Sequence, residues 1–214
     1  MGLDLVVEGC AKAGHEKEWH DLLARSFAGE KLTETEIAHF QEISVPGYQS
    51  IRAPQVGHDS AANQWILESQ KANTPEEVAA VLKKFDGYYV VRLVESDGVP
   101  KYSHGGLYDG ADETSFRGAF LNDCHDVLSE ALLKEAWNHK FPHEAVAYGK
   151  ALLGAVDAAE KGERPKRRRT FLSRLGLVKD REPVAVADQL DIVRSAGRWF
   201  IFWGERGHPI RAWF

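Results

Sequence analysis

The residues best suited to chemistry in this chain are two cysteines, nine histidines and an arginine-rich run. Their spacing decides what each can do. Cys124, in LNDCHDVL, is the strongest nucleophile candidate. Asn122 or Asp123 can cap a helix there, placing the thiol in a first turn where partial positive charge favours a thiolate. His125 is adjacent and His104 lies on the preceding strand; a cysteine with a histidine base is the minimal nucleophilic pair. Sequence neighbours point to different helix faces, so the base this reading needs is His104. Against it, Asp123 and Asp126 flank the thiol and raise its pKa by like-charge repulsion. Cysteine is also among the most often buried residues, so a small core thiol is the plainer expectation.

HEKEWH, residues 15 to 20, raises the question of zinc. The H-E-x-x-H signature puts two imidazoles at i and i+4, on one face of a helix. His15 and His20 are five apart, about 140° around the axis, and do not share a metal ion without breaking the helix. Trp19, Leu22, Leu23, Ser26 and Phe27 instead form the stripe of an amphipathic helix, with His15 one turn before it. His139 and His143 are four apart, but Pro142 between them disfavours one continuous helix, and no carboxylate or cysteine completes a ligand set with His125. No metal and no cofactor is expected.

Two anion-binding candidates remain. Arg117 in SFRG sits beside a glycine and can clamp a carboxylate or phosphate; its plainer role is an ion pair with Asp112, Glu113 or Asp123. Residues 161 to 181 hold nine Lys/Arg against two Asp/Glu, a local +7 in a chain of −5, so the remainder carries −12. Within that run Lys166, Arg167, Arg168, Arg169 and Arg174 can meet phosphates of nucleic acid or anionic lipid. Phe171, Leu172, Leu175 and Val178 supply a short apolar face. No aromatic interleaving accompanies the run, so a solvated linker is favoured. The net negative charge also argues against a whole-surface nucleic-acid binder. GGLYDG offers neither G-x-G-x-x-G nor a P-loop lysine, and G-x-S-x-G is absent.

The elements that would position these residues follow from patterning. LDLVVEG, 3 to 9, reads as a strand. LTETEIAHFQEI opens with a capping box, Thr33 with Glu36, and Thr74, Pro75 and Glu77 open a second clear helix. Residues 44 to 63 read as a long loop, a lid or binding loop, with a short strand near Tyr48 to Ile51 as the alternative. QWILES, 64 to 69, reads as a strand. YYVVRLVE and VPKYSHG read as a hairpin around SDG. Residues 111 to 137 read as mainly helical with a break near Gly118, and 142 to 162 as a long helix. RWFIFWGERGHPIRAWF reads as a hairpin around Glu205 to Gly207, with Trp199 to Trp203 as a strand buried on both faces. Trp213 and Phe214 are apolar enough to predict a docked C-terminus.

The opening, a strand ending in A-K-x-G followed by a Glu-rich amphipathic helix, resembles that of dimeric α+β barrel proteins such as antibiotic-biosynthesis monooxygenases. It reaches no catalytic position of that family.

The predicted fold is α+β: a mixed or antiparallel sheet packed with amphipathic helices and a C-terminal aromatic hairpin. The predicted organisation is a main domain over 1 to 160, a basic linker or short helix over 161 to 182, and a C-terminal segment over 183 to 214 packing back on it. Two cysteines make no disulfide framework, and no secretory signal or ~20-residue apolar span is read, so the chain is expected to be soluble and cytoplasmic. Gly2 lacks the Ser or Thr at position 6 that myristoylation wants; Val6 stands there. The first functional expectation is a non-catalytic interaction or regulatory module whose partner is another protein or a second copy. A thiol or hydrolase-type enzyme using Cys124 with His104 is the alternative. Attachment to nucleic acid or membrane through 166 to 178 is the third, less favoured.

Overall fold

The computed structural model describes residues 2–90, 93, 103–104, 108–109, 111–112, 115–163 and 184–214. The predicted basic linker therefore lies mostly outside the described residues, as does most of the hairpin predicted over 88 to 105. In chain order the elements are β1 (Asp4–Val7), β2 (Cys10–Ala11), α1 (Glu16–Phe27), α2 (Glu34–Glu42), β3 (Ser44–Val45), α3 (Gly47–Ser50), α4 (Ser60–Gln70), α5 (Pro75–Lys84), β4 (Ser103–His104), β5 (Tyr108–Asp109), β6 (Ala111–Asp112) and β7 (Ser115–Phe116). A 3-10 turn (Gly118–Asp123), α6 (Glu130–Glu135), α7 (Pro142–Glu160), α8 (Val186–Glu205) and β8 (Ile210–Trp213) complete it. The class is α+β, with a small antiparallel sheet among several helices. The chain divides into two compact units, residues 1 to 44 with 98 to 214, and residues 45 to 97.

The larger unit is built on a sheet of order β6-β7-β1-β8. Leu5 stands opposite Phe116 on one side and Ala212 on the other. All three are buried, so they share the core face that period-2 alternation gives a half-buried strand. Phe116 meets Trp199 of α8 at 5.9 Å. On its other side α8 packs along α7, where Tyr148 stands edge-on to Phe200 at 4.9 Å.

The two helices touch through glycine. A Cβ on Gly149 would sit 2.6 Å from the Gly197 carbonyl, and one on Gly204 would sit 2.6 Å from the Pro142 carbonyl. These approaches let the backbones close until large side chains on either side interlock, which is how protein interiors reach crystal-like density. Away from α7, Trp19, Leu22, Leu23 and Ile43 make a second cluster that joins α1 to the end of α2. The capping box predicted at Thr33 is formed, with the Glu36 amide donating to the Thr33 hydroxyl at 3.2 Å.

The smaller unit has its own core of Val56, Ala62, Ile66 and Val90, with Trp65, Leu67, Val81, Leu82 and Phe85 packed against it. Thr74, Pro75 and Glu77 start α5 as the sequence indicates. Gly57 holds φ +89, and a Cβ there would overlap the Asp86 carboxylate, so only glycine fits that turn.

Several predicted elements are corrected. QWILES is not a strand but the C-terminal half of α4, whose Ala62 and Ile66 are buried at i and i+4. The loop over 44 to 63 contains α3 and the start of α4, so Tyr48 lies on a helical turn and not on a strand. Of residues 111 to 137, those described form two short strands, a 3-10 turn and α6 in place of the mainly helical stretch predicted. The C-terminal hairpin is replaced by α8 followed by a tight turn into β8. Trp199, Phe200 and Trp203 are fully buried within a helix, because α8 is enclosed by α7 on one side and the sheet on the other. A helix covered on several sides is apolar around much of its circumference and reads like a two-faced strand. The C-terminus is docked through β8, which pairs with β1, while the Trp213 and Phe214 side chains stay exposed.

Candidate functional site

Cys124 follows the 3-10 turn directly, and its side chain is 0% exposed. The thiol faces the Phe120 carbonyl at 3.4 Å and the Gln189 carbonyl of α8 at 3.8 Å. Burial, with the Asp123 charge second, pushes it up to about 12. A thiol so placed is protonated near neutral pH and behaves as a small apolar core group. His125 is exposed while its neighbour Cys124 is buried, on a turn and not on the first turn of a helix. His104 lies on β4 paired to β5, with its side chain outside the described residues.

What holds the cysteine turn in place is a residue the sequence reading passed over. Gln189 is 1% exposed, and its amide bonds both ends of Asp126: the Gln189 Nε2 donates to Asp126 Oδ2 at 2.9 Å, and Asp126 N donates to Gln189 Oε1 at 3.0 Å. A further bond runs from Nε2 to the Val184 carbonyl at 2.8 Å. The signal was phase: Gln189, Ile192, Val193 and Ala196 fall at i, i+3, i+4 and i+7 on the buried face of α8. It is visible only once that segment is known to be helical.

Lys140 is likewise a buried cation with full employment. Its ammonium donates to the Glu135 and Asn138 carbonyls at the end of α6 and lies 4.4 Å from the centre of the Tyr148 ring. Cations at a helix C-terminus satisfy carbonyls that have no partner in the helix. Burial lowers the Lys140 pKa and raises that of Tyr148, whose hydroxyl donates to the Leu132 carbonyl at 2.9 Å.

The candidate histidines are dispersed. His15 sits at the N-cap of α1, 3.7 Å from Glu18, and Glu18 also meets His39 of α2 at 2.9 Å. His20 turns to another neighbour and stacks on Phe141 at 5.0 Å. A groove of about 610 Å³ runs between α1 and α2, lined by His15, Glu18, Asp21, Arg25, Glu36 and His39. Arg25 bonds Glu36 across it at 2.7 Å, and the Thr33 backbone followed by Arg25 holds Glu36 at about 2. His139 stacks on Phe27 at 4.6 Å, while His143 is exposed in the first turn of α7, which begins at Pro142. Among the described residues no group of three or more His, Cys, Asp or Glu is placed to hold a metal ion. Arg117 is partly buried and engaged with other groups. Lys166, Arg167, Arg168, Arg169 and Arg174 lie outside the described residues. Among the described residues no helix is long and apolar enough to cross a membrane.

The smaller unit presents a surface that chemistry-bearing motifs did not reveal. Tyr48 of α3 stacks on Tyr89 at 4.5 Å, with 28° between the rings. Gln49 Nε2 donates to the Tyr89 hydroxyl at 3.3 Å. Tyr88 is 52% exposed and Tyr48 36%, and Tyr88 stands edge-on to Phe85 at 6.0 Å. The backbone fixes this cluster. Residues 53 to 56 run beside 87 to 90, with Val56 N donating to Tyr88 O at 2.8 Å and Val90 N to Pro54 O at 2.7 Å. Between α3 and that rung, Arg52 adopts φ +53, the left-handed region a non-glycine residue seldom enters.

No protein-family model matches the chain, and neither characterised proteins nor solved structures give a significant match. The resemblance of the opening segment to α+β barrel monooxygenases thus carries no family assignment.

Proposed function

We propose that the chain is a non-catalytic interaction module acting in the cytoplasm, and that the tyrosine face of the smaller unit is its contact surface. The observation that carries this reading is Tyr48, exposed and stacked on the half-buried Tyr89, with the exposed Tyr88 next to Tyr89 in the chain. Tyrosine joins a large apolar ring to a polar hydroxyl and loses little side-chain freedom on contact, and it is enriched where proteins bind one another. Here two of the rings are already held in register by stacking and by Gln49, so part of the ordering cost of binding is met before a partner arrives. The partner class is protein: another chain or a second copy of this one. Both cysteines are free thiols, which supports a reducing compartment.

A photo-crosslinking phenylalanine analogue at position 88, installed in the full chain and irradiated in cells, tests the reading. We expect one discrete adduct that disappears when Tyr48→Ala is added, and an adduct of twice the chain mass identifies self-association. A diffuse pattern matching that of the same analogue at exposed Glu34 would end the proposal.

A further inference from the structure

We propose that His139 is an acid-released latch on the outer edge of β8. β8 is the last strand of its sheet, and its inner side is taken by β1 through the pairs Val7–Ile210 to Asp4–Trp213. In an antiparallel strand every second residue turns its amide and carbonyl to the same side. The residues turned outward here are Ile210 and Ala212. Ile210 is closed by backbone on both counts, with Ile210 N donating to Lys140 O and Lys140 N to Ile210 O, each at 2.8 Å. Ala212 is closed by a side chain: its amide donates to His139 Nδ1 at 3.1 Å.

The two closures differ in one chemical respect. A carbonyl accepts at any pH, whereas an imidazole nitrogen accepts only while it is bare. The bond requires neutral His139 with its proton on Nε2. Adding a proton to Nδ1 sets N–H against N–H, and the Ala212 amide loses its partner.

The surroundings make that protonation costly. Phe27 of α1 covers the ring at 4.6 Å. Arg211 of β8 and Lys140, the next residue in the chain, are cations near it, and Glu8, just after β1, is committed to the Arg211 guanidinium. His20 and His143 reach the same ring cluster through Phe141. Burial first, and then Arg211, lowers the His139 pKa from the ordinary 6.5. Unpaired strand edges invite pairing with another strand, and sheets close them deliberately. This edge is closed by a group whose acceptor disappears in acid.

The test is amide hydrogen exchange on the full chain between about pH 7.5 and about pH 5, read as protection factors and compared with His139→Asn. The Asn Oδ1 falls near the position of Nδ1 and accepts without titrating. We expect Ala212 protection in the wild type to fall at least about five-fold over that range while Ile210 holds, the size of losing one hydrogen bond. In His139→Asn the Ala212 protection should stay level. Flat Ala212 protection in the wild type, or equal losses at Ala212 and Ile210 in both proteins, would overturn the proposal. Should His139→Asn fail to fold, nitrogen chemical shifts of His139 in the wild type decide instead. A bare Nδ1 at neutral pH that gains its proton below 6.5 supports the latch; a protonated Nδ1 at neutral pH rejects it.

Discussion

Cys124 and Gln189 occupy one small volume, and their chemistry is set by what surrounds them. The Cys124 thiol faces two carbonyls, and burial, reinforced by the Asp123 charge, keeps the group protonated. With Cys10 replaced by serine, iodoacetamide should leave the native protein unmodified from about pH 6 to about pH 9 and label Cys124 only after denaturation. Rapid native labelling with a low apparent pKa would reinstate the thiol-enzyme reading. The reactivity of Cys10 itself is damped less severely, because it is only partly buried, though burial raises its pKa as well. A carboxylate or an amide in a core survives only with its bonds made, and Gln189 makes three. The sequence showed Cys124 as a candidate for both roles, thiolate and core thiol. Its choice between them depended on Gln189, which lies 65 residues further along the chain.

At the scale of elements, the α7–α8 pair is where packing is tightest and where a single methylene has the largest consequence. Gly149→Ala places a Cβ against the Gly197 carbonyl and the Ile201 and Phe200 side chains, all within 3.0 Å. The helices must separate, which costs about 1–3 kcal/mol by the scale of overpacked cores. Urea unfolding should show a lowered midpoint with an unchanged slope. A midpoint equal to wild type would mean that the helices can slide apart freely. By contrast Gly154, also on α7, has open space where its Cβ would be, so Gly154→Ala is the matched control and should be neutral or stabilising through helix propensity. Local rules predicted the elements that contain strong caps: Thr33 with Glu36, and Thr74 with Pro75 and Glu77. They failed for QWILES and WFIFW, which lack caps of their own and carry β-branched or aromatic residues in contiguous apolar runs. Such runs suit a strand or a buried helix equally, and only their neighbours select one.

Across the whole molecule, the buried titratable groups fix how stability responds to acid. His208 is fully buried, its Nδ1 bonded to the Glu8 carbonyl at 2.8 Å, and burial lowers its pKa, as it does for His139. A histidine whose folded pKa lies below its unfolded value binds fewer protons when folded. Stability is therefore complete above the unfolded value of 6.5 and is lost as pH falls from there through the folded pKa. Each group contributes a slope of at most about 1.4 kcal/mol per pH unit within its own window. Thermal unfolding followed by tryptophan fluorescence should give a midpoint level near pH 7.5 that declines below about pH 6.5. A midpoint that rises on acidification would contradict the assigned burial of both rings.

The chain by itself determined the class, α+β, and the two capped helices that open at Thr33 and Thr74. It also determined that HEKEWH is no zinc motif, because helical phase follows from backbone geometry alone. Those features rest on interactions between residues three or four apart. The tertiary structure decided what depended on remote partners. It made WFIFW a helix by enclosing it between α7 and the sheet. It buried Cys124 under Gln189, set Tyr48 against Tyr89, and brought His139 to the edge of β8. Each of those contacts joins residues far apart in sequence, and the free energy that selects them comes from burial, which no local pattern records.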